Sequence, residues 1–516
     1  MITLNSLCWI CQVMLAFVSC ITEIDAAISA RVKIDGKSVI NRLNENFVGF
    51  TLDTSLLSHH WENLDVRSKS VQTLAKGLSP CFVRVGGTGS DFLIFKNGKS
   101  ISSSLRRANG SLGYGIDLSK EDLSMEVDYT KHLTNFTMTG EVFDSLYSFV
   151  QSVGWNMTFD LNVLLRERES WDPENAIQLM KYVAKKNYRV SGWELGNEPN
   201  AFYHILGYRI KADQLADDYR RLYQILHDTF PQFNSSLILG PSVTKLCKEK
   251  TIAYFINFLQ SGGGKIVTAA TFHHYYISAK TATEQKFLDP KVLDSLIEEV
   301  QSAVTITKKW APDSQVWLGE TSSASGGGAK GLSDTYIAGF MWLDKLGVAA
   351  KYGVDVVLRQ SFYSGYYSLL DHDDCSPNPD YWLTLLYKNL VGRTVLNVTS
   401  SDASGQLRVY AHCTNIKRTQ YKPGSVTIYL MNLHKKEAVN VEFLNFLSEN
   451  VDFYLLQPVP STNVKSKFIG LNGKTLSLQN NELPPLLPRK QQGKIILPSL
   501  TYGFIVIPNA NVTICY

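Results

Sequence analysis

The sequence predicts a (β/α)8 TIM barrel carrying a C-terminal antiparallel β-sandwich that also takes an N-terminal strand. Three observations predict it. Eight short apolar, β-branched runs alternate with segments of helical period up to about residue 392. From about Arg393 strand-like runs follow one another with turn residues and no helical pattern between them. A chain of 516 residues also exceeds what one simple core holds.

The elements follow in order. Leu7–Ser19 is an apolar run of signal-peptide length, too short to span a bilayer, so 1–26 is read as a signal with cleavage between 20 and 26. ARVKIDGKSVI, within 27–44, has a hairpin-like texture and is expected to join the sandwich. The barrel is assigned to 45–392. Its strands are NFVGFTLD from Asn46, CFVRVGG from Cys81, WNMTFDLNVL from Trp155, VSGWELGNE from Val190, SLILGPSV from Ser236, IVTAATFHHYY from Ile266, QVWLGET from Gln315 and DVVLRQSFY from Asp355. Helical periods cover 141–153, 174–186, 212–229, 291–309 and 333–352. A polar, Ser-rich stretch at about 96–139 breaks this rhythm and reads as a surface insertion. The sandwich, 393–516, carries QLRVYAHC, SVTIYLMNL, VNVEFL, DFYLLQPV, KIILPSL and YGFIVIP.

Composition narrows the function. A net charge of +4 gives no reason to expect nucleic-acid binding. No later segment reaches eighteen uninterrupted apolar residues, so no transmembrane anchor is expected. Six Asn-x-Ser/Thr triplets, at Asn109, Asn135, Asn156, Asn234, Asn397 and Asn511, are candidate glycosylation sites and agree with secretion. Of eight cysteines, three lie in or beside the signal; the odd five that remain allow two disulfides at most.

In such barrels chemistry belongs to the C-terminal strand ends. Those ends carry Asp53, Arg84 with Thr88, Asn162 with Arg166, Asn197–Glu198, His273–His274–Tyr275, Glu320, and Arg359–Gln360. Glu198 on the fourth strand and Glu320 on the seventh stand on different sides of the mouth. Glycoside hydrolysis needs such a pair: one acid protonates the leaving oxygen, and the other, ionised, attacks or stabilises the sugar carbon. A structural ion pair with Arg84 or Arg166 is the plainer reading of either acid taken alone, but two acids at separate strand ends on one rim favour catalysis. Glu194 lies deeper and is expected to pair with a cation, Arg84 being the candidate. His273 and His274 have no third ligand at metal spacing, so neither a metal nor a cofactor is expected. Ser322–Lys330 (SSASGGGAK) lacks the ending of a phosphate loop and reads as a flexible loop lining a sugar subsite, with Tyr275, Tyr366 and Tyr367 nearby.

WELGNEPN, HHYY, VWLGETSSASGGG, GFMWLDKLG, VVLRQ and PNPDYWLTLLYKNLVG closely resemble glycoside hydrolase family 79, the heparanase family. The resemblance runs from about Asn46 to the C-terminus. It implies a retaining endo-β-glucuronidase cutting glucuronic acid–glucosamine linkages in heparan sulfate and its proteoglycans, in the extracellular matrix or the lysosome. It further implies Glu198 as proton donor and Glu320 as nucleophile, with Asn197 on the neighbouring sugar hydroxyl. Asp53, Thr88, Tyr275, Gly326, Gly327, Gln360 and Tyr367 fall where the family contacts the uronate and its neighbours. Cys413 and Cys515 match the family's disulfide pair.

The chain departs from the family in two places. The 96–139 stretch is shorter than the insertion that maturing heparanases excise. YSGYYSLLD resembles the hyaluronan-cleaving relatives instead, which makes hyaluronan the alternative substrate. Lys245, Lys248 and Lys250 after the fifth strand and Lys280 after the sixth favour a sulfated chain, because each cation gains more there. A non-catalytic heparan-binding relative is the third reading, and the presence of both glutamates speaks against it.

Overall fold

The computed structural model describes residues 28–97 apart from 59, 60 and 62, and residues 135–516 apart from 447–449. The signal assignment and Asn109 lie outside the described residues.

Eight parallel strands close into a barrel in sequence order: Val48–Asp53, Phe82–Gly86, Asn156–Leu161, Gly192–Leu195, Leu237–Val243, Ala269–Ser278, Gln315–Ser325 and Val356–Arg359. Six fall within the runs read from the sequence, while the sixth and seventh begin within theirs and run on to Ser278 and Ser325. We number them first to eighth. Alternation along each strand decides what fills the interior. Phe82, Leu239, Ala269, Trp317, Val356 and Leu358 form an apolar plug, with the Phe82 and Trp317 rings 4.7 Å apart. Two residues further on, the same faces turn polar, with Arg84 on the second strand and Thr271 on the sixth, both buried.

The helices cover the outside. Pro290–Trp310 shows why they form where they do: Asp289 caps it by accepting from the Lys291 amide, proline occupies its first turn, and Lys308 and Lys309 close it. Ala338–Tyr352 is buried from Ala338 to Ala350 because it lies between barrel and second sheet. A Cβ on Gly339 or Gly347 would sit 2.2 Å from Tyr502 Oη or 2.4 Å from the Tyr410 ring, so these positions allow the close approach. Pro379–Leu390 was not singled out from the sequence. It is buried on almost every side, so that even its polar row of Asp380, Thr384 and Lys388 does not mark a solvent face.

The second sheet has eleven strands, and residues from its two ends meet in one apolar core. Val32, Ile428, Val441, Phe453, Ile495 and Ile505 all belong to that core, so the sheet folds over itself in two layers. Ile28–Arg42 joins it as one strand rather than a hairpin. Its first part pairs in parallel with Val439–Phe443 and the rest antiparallel with Val391–Ser400. The sheet is therefore mixed at that one pairing, its other pairings being antiparallel. Cys413 and Cys515 form a disulfide across 102 residues, leaving Cys81, Cys247 and Cys375 as free thiols. Leu93–Lys96 and Phe136–Thr139 pair in parallel, so the stretch read as an insertion has a two-stranded stem. No helix among the described residues is long and apolar enough to cross a membrane.

Candidate active site

Glu320 faces the barrel interior because the seventh strand carries an extra residue. Strict alternation from Trp317 turns Gly319 inward and Glu320 outward. The pairing with the sixth strand shifts between Phe272 and His273, so that Phe272 faces Leu318 while His273 faces Glu320. This bulge at Gly319 brings Glu320 round to the inside, beside His273. Both strands then continue past the barrel, to Ser278 and Ser325, and build a raised wall over the mouth. The sequence reading ended the seventh strand near Glu320; periodicity alone does not reveal a bulge or an extension.

Each Glu320 oxygen holds one donor. Arg84 Nη1 lies 3.0 Å from Oε2, and Tyr275 Oη donates to Oε1 at 2.6 Å. Arg84 is buried and forks further, to Glu194 through Nε at 2.5 Å, to Asn197 Oδ1 at 2.9 Å and to Asp160 at 3.5 Å. The predicted partnership of Glu194 with Arg84 is present. The same guanidinium also reaches Glu320, an outcome the sequence left open. Burial pushes Asp160 and Asp91 well above the ordinary carboxylate range, against the pull of Arg84 on both.

Glu198 is differently placed. It ends no strand: it sits three residues beyond Leu195 in the left-handed conformation, φ 53°, with its amide donating to Ser242 O. Asn197 is fixed on both sides, by Arg84 on its side chain and by Asp91 Oδ2 accepting its amide at 3.1 Å. The Glu198 side chain keeps 24% of its exposure, and Oε1 lies 2.9 Å from His273 Nδ1. Burial raises its pKa to about 7, with only the Arg84 field pulling the other way. Burial lowers His273 to about 4, so its ring is neutral at pH 7 and contributes a hydrogen bond without a charge. His274 points outward to Lys345.

The remaining predicted residues divide into two groups. Asp53 accepts from the Ser55 amide and lies against Gly87, where φ is 98° and a Cβ would meet Asp53 Oδ2 at 2.6 Å; Thr88 follows directly. Gln360 is held by the Thr51 hydroxyl. The Tyr367 ring stacks at 6.2 Å on Tyr275. Gly326 and Gly327 have φ 79° and 84°, and Gly327 O accepts from the Tyr366 amide at 2.6 Å. Lys245 stands apart, its charge acting on His274 and Glu299 behind the sixth strand, and Lys280 lies beyond the end of that strand. Among the acceptor asparagines, Asn135, Asn234 and Asn511 are exposed, whereas Asn156 and Asn397 are half-buried within strands. The described residues contain no group of three or more His, Cys, Asp or Glu side chains that would hold a metal ion.

A barrel whose rim presents one carboxyl group held near neutrality and one carboxylate fixed by an arginine and a tyrosine defines a glycoside hydrolase. Residues 29–347 match the model of the glycosyl hydrolase family 79 N-terminal domain, and the chain belongs to that family. It is 38% identical to heparanase of Bos taurus over 91% of this chain and 89% of that one. It is 35% identical to hyaluronoglucuronidase of Hirudo nipponia over 94% of this chain and 99% of that one. A solved 4-O-α-L-rhamnosyl-β-D-glucuronidase from Fusarium oxysporum shares the fold at a TM-score of 0.65 and 16% identity, covering 92% of this chain and all of that one.

Proposed function

We propose that this chain is a retaining endo-β-glucuronidase that cuts internal glucuronic acid–glucosamine linkages of heparan sulfate. The observation that carries the reading is the asymmetry of the two glutamates. Glu198, near pH 7 in its titration, gives its proton to the departing glucosamine oxygen as that bond to the anomeric carbon breaks. Glu320, with a cation and a hydroxyl on its oxygens, attacks the same carbon and forms a glycosyl ester. Glu198, now ionised, takes a proton from water, whose oxygen displaces Glu320 and restores the configuration. Asn197, locked by Arg84 and Asp91, presents its amide to the neighbouring sugar hydroxyl. Asp53, Thr88, Tyr275, Gln360, Tyr367 and the backbone amides at Gly326 and Gly327 line the uronate site. Lys280, beyond the end of the sixth strand, would meet sulfates outside it.

Secretion, glycosylation at the six asparagines and action on matrix or lysosomal proteoglycans belong to the same proposal, supported by the apolar N-terminal run and the triplets. The division into signal (1–26), sandwich strand (27–44), barrel (45–392) and sandwich (393–516) belongs to it too. A hyaluronan-cleaving enzyme is the second reading, favoured by YSGYYSLLD and by the similarity to the Hirudo nipponia protein.

The test is to incubate the secreted protein with heparan sulfate and with hyaluronan and measure chain length. Heparan sulfate should shorten, and Glu320→Gln should abolish cutting while retaining binding. Shortening of hyaluronan alone would establish the second reading; no shortening of either would leave a binding protein.

A further inference from the structure

Two exposed tyrosines, each with a cation over its ring, stand on opposite walls of the barrel mouth. Tyr203 lies five residues beyond Glu198, in the short helix Phe202–Leu206 that follows the fourth strand. It is 50% exposed, and the Arg209 guanidinium sits 4.1 Å from its ring centroid. Tyr366 follows the eighth strand and is 41% exposed, with Lys330 Nζ 5.7 Å from its ring centroid.

Their placement follows from the barrel. In the closed order the fourth and eighth strands are four steps apart in either direction, which is diametrically across the mouth. The loops that carry the two tyrosines therefore leave the barrel on opposite sides of the opening flanked by Glu198 and Glu320. The second pair is also joined to the chemistry: Tyr366 precedes Tyr367, Tyr367 stacks on Tyr275, and Tyr275 donates to Glu320. Tyr366 is pinned through its amide to Gly327 O, which bridges the eighth-strand loop to the loop that carries Lys330.

We propose that Tyr203 with Arg209 and Tyr366 with Lys330 are two outer subsites that grip an acidic polysaccharide running from wall to wall. This rests on the endo-glycosidase reading and adds which parts of the chain beyond the cut bond are recognised. An aromatic face takes the apolar face of a pyranose ring, and a cation beside it takes a carboxylate or sulfate on the same or the next sugar. A neutral glucan would use the rings and leave both cations unmatched. Because the two subsites face each other across the whole mouth, a disaccharide fills the catalytic centre without reaching either wall. The outer pairs thus select long, charged chains and favour internal cuts.

The test uses full-length Glu320→Gln protein titrated with size-fractionated heparan sulfate and hyaluronan, from disaccharide to dodecasaccharide. Affinity for at least one polymer should rise with length until both walls are reached, then level off. Tyr203→Ala and Tyr366→Ala should each weaken binding of long fragments roughly fivefold, the size of a lost ring contact, and leave disaccharide binding unchanged. Arg209→Ala and Lys330→Ala should each flatten the dependence of affinity on salt, since each cation releases fewer counterions from the polyanion. Equal losses on short and long fragments, or none on long ones, would overturn the subsites. Failure of the catalytic reading looks different: the wild-type protein would leave both polymers uncut while the length dependence of binding persisted.

Discussion

His273 Nδ1 lies 2.9 Å from Glu198 Oε1, and the imidazole is neutral because burial lowers its pKa to about 4. A charged histidine there would hold Glu198 ionised and useless as an acid. A neutral one fixes the carboxyl in place and leaves burial to raise its pKa to about 7. The proton needed by the leaving oxygen is thus present below about pH 7 and lost above it. On polymer substrate, kcat/KM should fall on the alkaline side with a midpoint near pH 7, approaching tenfold per pH unit. A midpoint near the ordinary glutamate value, 4.5, would contradict this assignment of the acid.

The same shift bears on stability. Glu198 titrates at 4.5 in the unfolded chain and about 7 in the folded one, so between these values the folded state holds the extra proton. Its contribution is fully present below pH 4.5 and is lost as pH rises through 7. At about 1.4 kcal/mol per pKa unit, the change amounts to at most about 3.5 kcal/mol. Glu198→Gln cannot ionise and should be less weakened than wild type between pH 5 and pH 8. Urea unfolding of both proteins at the two pH values reads the difference; parallel losses would refute it.

Arg84 is the shared donor for Glu194, Asn197, Asp160 and Glu320. Arg84→Met would strand buried acids without their cation, costing on the order of 3–5 kcal/mol in stability. Arg84→Lys restores the charge but not the planar fork, so it should recover stability while kcat stays about a hundredfold low. The separation is checked by chemical unfolding alongside turnover. Full activity in Arg84→Lys would show that charge alone suffices at Glu320.

The barrel was legible because its strands are apolar runs that alternate with amphipathic helices, and Glu198 and Glu320 stood out as acids near Gly196 and Gly319. What joins the two acids was less visible. The bulge at Gly319 that turns Glu320 inward leaves no periodic trace, since one inserted residue looks like ordinary sequence. His273 was a histidine of undecided use until its pairing with Glu320 placed it beside Glu198. Asp91 and Asp160 are separated by sixty-nine positions and each reads as a loop or strand acid; only the closed barrel puts both near Arg84. Lys245 reads as a cleft cation by position after the fifth strand, yet its field falls on Glu299 and His274 outside the barrel wall.

Lys345, fully buried on the helix Ala338–Tyr352, joins the backs of the two strands that carry the reacting groups. Its Nζ lies 2.5 Å from Thr321 Oγ1, 2.9 Å from His274 Nδ1 and 3.0 Å from Ser322 O, with the Tyr276 ring centroid at 4.3 Å. Thr321 follows Glu320, and His274 lies between His273 and Tyr275. The Lys345 amino group therefore bridges the sixth and seventh strands just beyond the bulge, where the ladder between them is irregular. Lys345→Met keeps the length of the stem and removes every donor. It should cost about 1–3 kcal/mol from acceptors left unpaired. It should also lower kcat more than it raises KM, because Glu320 loses registry with Tyr275 while the outer cleft is untouched. Steady-state kinetics at a temperature where the variant stays folded isolates this effect. A variant less stable than wild type but with unchanged kcat would confine Lys345 to holding the fold.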